Sequence, residues 1–152
     1  MGVQDAFSAQ EWKQVKDLPA DAAMFVASAG RPGPIQMVKE STAAARAIVA
    51  AKDSPDPLIA AVVADLSDHD DSDKPVKPDV KTPEDLHAYL LGQVKQAAAL
   101  VNEKAPQSAA AYGQFIVDLA VKVSEAAKEG FGGPRVSAEE TAAIEQLRAA
   151  LP

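Results

Sequence analysis

Five aspartates crowd one short stretch of this chain, and closely spaced carboxylates are the usual ligands of a hard cation such as Ca²⁺. The stretch runs from Ser67 to Lys81 and carries Asp68, Asp70, Asp71, Asp73 and Asp79. Asp68, Asp70, Ser72 and Asp79 match the first, third, fifth and twelfth positions of an EF-hand loop. The register fails elsewhere. The sixth position needs glycine for its sharp turn and holds Asp73, the eighth is Pro75, and the twelfth lacks the bidentate glutamate. These aspartates are therefore weak metal candidates, and a solvated acidic linker is the expected reading.

Other chemistry is sparse. His69 and His87 are the two histidines, too few for a nitrogen-based metal centre. His87 follows Glu84 by three residues, the spacing of a surface pair on a helix. Gly130-Phe131-Gly132-Gly133-Pro134-Arg135 precedes a helix start, a geometry that can hold phosphate. It has no Gly-Lys-Ser/Thr, and Glu139 and Glu140 would repel an anion, so it reads as a structural elbow. There is no Gly-x-Ser-x-Gly elbow and no cysteine, and no acid pair lies on an apolar face. No catalytic residue and no cofactor is assigned, and the expectation is that the protein is not an enzyme.

The elements that carry these residues are helical. Ser8-Ala9-Gln10-Glu11 is a capping box, with Phe7 and Trp12 placed as a hydrophobic staple. Leu18-Pro19 should break or kink that helix, with a second short helix over 20–29. Pro34 opens a helix to about Lys52, with Ile35, Val38, Thr42, Ala45 and Val49 as its buried face. Asp56 caps the next helix, which begins at Pro57 and buries Leu58, Ile59, Val62, Val63 and Leu66. Thr82-Pro83 starts another, to about Lys104, with Leu86, Tyr89, Leu90, Val94, Ala97 and Val101 on its apolar face. The helix from Gln107 to Glu129 is apolar around most of its circumference. Its polar positions Gln114, Asp118, Lys122, Glu125 and Glu129 form one narrow stripe, so the other helices should enclose it. Ser137 and Glu140 form a second capping box before a terminal helix to Leu151, whose face is Thr141, Ile144, Leu147 and Leu151.

With 152 residues and 47% hydrophobic content, one domain with a sizeable core is expected. Aromatics are only 5%, so alanine and aliphatic side chains must fill that core. Period-two β-branched runs are absent. The prediction is an all-α, single-domain bundle of about six or seven helices, centred on the helix at about 107–129, with 67–81 as a mobile loop joining two halves. The net charge of −7, with lysines and arginines scattered, disfavours nucleic acid and anionic membrane as partners. No run reaches the ~18 apolar residues of a membrane span. The first residues carry no basic and apolar leader, so the cytoplasm is the expected location.

Phe7-Ser8-Ala9-Gln10-Glu11-Trp12, Val123 to Gly133 and Val136-Ser137-Ala138-Glu139-Glu140 together resemble a family of short bacterial helical proteins with no assigned function. More distantly, the last part of the chain resembles tellurite-resistance TerB-like domains, where a buried helix passes a glycine elbow into a similar capped helix. That resemblance implies a helical bundle with acidic, metal-linked residues. The family's Asp-Gly in the elbow is Gly132-Gly133 here, so no metal-linked residue carries over. Two functions are expected from different classes. The first is a non-enzymatic domain acting through a protein partner or self-association. The alternative is a TerB-like stress-response domain responsive to a small ligand or metal.

Overall fold

The computed structural model describes residues 2–29, 34–67, 82–128 and 138–151. Among them the protein is all-α, with a single 3-10 turn (Val3–Ala6) and six α-helices. These are α1 (Ala9–Ala29), α2 (Pro34–Ala50), α3 (Pro57–Ser67), α4 (Pro83–Lys104), α5 (Pro106–Lys128) and α6 (Ala138–Ala150). The acidic segment 68–81, the elbow 129–137 and the turn 30–33 lie outside the described residues.

Local chemistry starts these helices where the sequence signals it. Ser8 and Glu11 close a capping box: Glu11 N–H donates to Ser8 Oγ at 3.2 Å, and Ser8 N–H to Glu11 Oε2 at 2.7 Å. The staple is present too, with the Phe7 and Trp12 rings 5.7 Å apart. Asp56 Oδ1 accepts from both Leu58 N–H and Ile59 N–H, satisfying two donors that the first turn of α3 leaves open. Thr82 Oγ1 accepts from Asp85 N–H at 3.1 Å at the start of α4.

α5 is the centre of the bundle and packs against each of the other five α-helices. Its Tyr112, Ile116, Val117, Leu119, Ala120 and Val123 are buried, while Gln114, Asp118, Lys122 and Glu125 stay exposed as the expected stripe. The main core joins this face to Val15, Leu18, Phe25 and Val26 of α1, Leu58 and Val62 of α3, Leu90, Val94 and Val101 of α4, and Ile144 and Leu147 of α6. Each such aliphatic or aromatic side chain contributes roughly 1.5–3 kcal/mol by leaving water. A smaller cluster of Ala23, Leu119 and Val123 seats Ala44, Ala47 and Ile48 of α2.

Four expectations need correction. Pro19 does not end a helix: α1 runs unbroken from Ala9 to Ala29 with Pro19 buried inside it. The buried face of α2 is also different. Thr42, Ala45 and Val49 are exposed, and Ala44, Ala47, Ile48 and Ala51 face the core. In the 3.6-residue period these two sets lie on opposite sides. Choosing the face by its large residues overlooks that alanines let two helices approach most closely. On α6, Thr141 is exposed, and Glu140 and Ala143 take its place beside Ile144 and Leu147. On α4, Tyr89 is 38% exposed at the rim of an otherwise buried face.

Candidate functional site

Proline inside a helix removes one N–H, so the carbonyl four residues earlier loses its partner. For Pro19 that carbonyl belongs to Val15. Tyr112, from the centre of α5, donates its hydroxyl to Val15 O at 2.7 Å. Both residues are fully buried. The phenol replaces the missing amide, which explains how α1 passes through proline without breaking. Burial pushes the Tyr112 hydroxyl well above the ordinary phenol range, and the charge of Asp17 adds to this. It stays a neutral donor, held in place rather than poised to transfer a proton.

On the flank of α1, Lys13, Asp17 and Asp21 follow one another at four-residue spacing. Lys13 Nζ pairs with Asp17 at 2.8 Å. Asp21 is half-buried, and desolvation, reinforced by Asp17 and opposed by Lys13, pushes its carboxyl up to about 7. A carboxyl tuned near neutrality can exchange protons at physiological pH. No second ligand or nucleophile accompanies it in the described contacts.

His87 is not the surface partner of Glu84 that its spacing suggests. Its ring stacks on Phe25 of α1 with centroids 3.9 Å apart and planes 8° from parallel. Burial depresses its pKa from the ordinary value of 6.5, partly opposed by a hydrogen bond to the Phe25 backbone. Nε2 is enclosed and has no hydrogen-bond partner among the described residues.

A set of charged contacts ties α1 to its neighbours at the opposite end. Trp12 Nε1 donates to Asp65 Oδ2 of α3 at 2.7 Å, and Lys16 Nζ lies 3.2 Å from the same oxygen. The bond from Trp12 is the main reason Asp65 titrates below its usual range. Lys104, in the last turn of α4, meets Glu11 at 2.7 Å and is the first cause of that carboxylate's lowered pKa. These contacts fasten helix ends together.

A surface feature with room for a partner's side chain lies between α2 and α5. It is a shallow groove of about 150 Å³ lined by Ala47, Ala50, Ala51, Phe115, Asp118, Leu119 and Lys122. Alanines on α2 leave this space above Phe115 and Leu119. Asp118 accepts a hydrogen bond from Gln114 Nε2 at 2.8 Å, and Lys122 is exposed on the same stripe. The outer side of α2, turned away from the groove, presents Thr42, Ala45 and Val49, the last 54% exposed. The lining contains no nucleophile with an adjacent base. The arrangement offers an apolar floor between one carboxylate and one ammonium, which suits binding rather than bond-making.

The sequence-level metal candidates Asp68, Asp70, Asp71, Asp73 and Asp79, together with His69, lie outside the described residues. Among the described residues no group of three or more His, Cys, Asp or Glu side chains is arranged to hold a metal ion. Of the two glutamates expected to guard the elbow, Glu139 is exposed and Glu140 buried. The described helices include none long and apolar enough to cross a membrane. Sequence reading missed three features: the Tyr112–Val15 bond, the raised carboxyl of Asp21 and the α2–α5 groove. A proline that interrupts an otherwise continuous amphipathic pattern was the available signal for the first. The second needed the depth of α1 in the bundle, and the third the seating of α2 on α5. No protein-family model, curated protein or solved structure matches the chain.

Proposed function

We propose that this chain is a cytoplasmic, non-enzymatic helical domain that acts by binding another protein, with the α2–α5 groove and the exposed residues that line it (Ala50, Asp118, Lys122) as its contact surface. The observation that carries the reading is the shallow apolar lining of Ala47, Ala50, Ala51 and Phe115 over the buried Leu119, flanked by the exposed Asp118 and Lys122. Ligand pockets for small molecules usually enclose ≈300–1,000 Å³. A groove of about 150 Å³ instead accommodates one or two side chains projecting from a partner's surface. Anchor residues of this kind carry most of the energy of protein interfaces. Asp118 and Lys122 flank the floor and would set orientation through paired charges.

The test uses Ala50→Glu. Ala50 is exposed and lines the groove, and glutamate is a good helix former, so the fold should survive. The expected result is an unchanged melting temperature with loss of the partners retained by the parent protein. The control Ala149→Glu, on the exposed side of α6, should retain them. Equal retention by both variants would reject the groove as the contact surface. Loss of a dimer in the Ala50→Glu variant would identify the partner as a second copy.

A further inference from the structure

We infer that the stacked pair Phe25–His87 is a proton-sensitive latch that fastens the N-terminal turns of α4 to α1. The geometry has two parts. The rings lie flat on one another, with centroids at 3.9 Å, and this is the described aromatic contact between α1 and α4. One side of the imidazole bonds the Phe25 backbone while Nε2 is enclosed without a partner among the described residues. A neutral imidazole with its proton on Nδ1 suits this setting, because Nε2 then carries only a lone pair. Adding a proton puts a charged N–H where no described group accepts it, and an enclosed donor without a partner is costly.

Several acids lie on the helices that meet around the latch. Asp21 lies one helical turn before Phe25 on α1. Glu84 and Asp85 are exposed one turn or less before His87 on α4. Glu140 is the buried acid on α6, which packs on both helices. The perturbation of His87 comes from burial and from the Phe25 backbone, not from these carboxylates. The direction follows. The folded-state pKa lies below the unfolded value of 6.5, so the contact is complete above that pH. It weakens as pH falls through the window beneath it. The weakening is local, because the rest of the α4 face (Leu90, Val94, Ala97, Val101) stays anchored in the core.

The experiment combines two measurements on the full chain. Imidazole proton resonances are titrated by NMR, with His87 assigned by its disappearance in His87→Phe. Amide-exchange protection is followed over the same pH range. The expected result is a His87 midpoint below 6.5, with protection of the amides in 84–90 falling at least tenfold across it while α5 amides hold. In His87→Phe, which keeps a flat ring and has no titrating group, protection in 84–90 should be independent of pH. If that variant does not fold, His87→Gln serves the same purpose. A midpoint at or above 6.5 would overturn the latch, as would unchanged protection in the parent or the same acid loosening in the variant.

Discussion

Replacing Tyr112 with phenylalanine removes one oxygen atom and leaves Val15 O enclosed with neither the amide that Pro19 lacks nor the phenol that replaces it. Leaving a buried acceptor unsatisfied costs about 1–3 kcal/mol, and the aromatic ring itself still fills the core. Tyr112→Phe should therefore destabilise the protein by about 2 kcal/mol. The diagnostic comparison is with Pro19→Ala. Alanine restores an N–H four residues after Val15, so the carbonyl regains an in-helix partner. In that background Tyr112→Phe should cost less than about 1 kcal/mol, giving a coupling of at least ~1 kcal/mol in a double-mutant cycle. Urea unfolding at pH 7, followed by the fluorescence of Trp12, the sole tryptophan, measures all four proteins. An equal cost of Tyr112→Phe with and without proline would refute the argument that the phenol stands in for the missing amide.

Two further outcomes follow from the same contacts. The Asp21 carboxyl rises from 3.8 to about 7, so its charged form opposes folding above pH 7 and the opposition vanishes below about 3.8. Three pKa units correspond to at most about 4 kcal/mol, and partial solvation reduces this to about 1–2 kcal/mol. Asp21→Asn should accordingly stabilise the protein by that amount at pH 8 and by nothing at pH 4. A gain that is equal at both values would contradict the assigned cause. Millimolar Ca²⁺ should leave the melting temperature unmoved, since Asp68, Asp70, Asp71, Asp73 and Asp79 lack the glycine and glutamate of a calcium loop. A saturable rise would instead favour the metal-responsive, TerB-like alternative.

Much of the fold was legible because helix starts are local events. Asp56 and Thr82 announce their helices through side chains that bond the first-turn amides, and the structure shows those bonds. The polar stripe of α5 was readable because its residues repeat every three or four positions on one helix. What failed depended on partners distant in sequence. Pro19 looked like a terminator because the donor that rescues it, Tyr112, is 93 positions away. The face of α2 was misassigned because Val49 outweighs Ala47 in any hydrophobicity count, although alanine is what lets α2 sit close on α5. His87 looked like a surface residue because its spacing from Glu84 says nothing about Phe25. The groove was not readable at all, since it exists only where small α2 residues stop short of Phe115 and Leu119.

The central claim is that the α2–α5 surface meets another protein, and site-specific photo-crosslinking in cells tests it most directly. A photoreactive amino acid at Lys122, exposed and lining the groove, should give a discrete crosslinked product. The same group at Gln146, on the exposed side of α6, should not. Adding Ala50→Glu to the Lys122 probe should abolish that product. Products that are absent at Lys122, or equal at the two positions, would contradict the account.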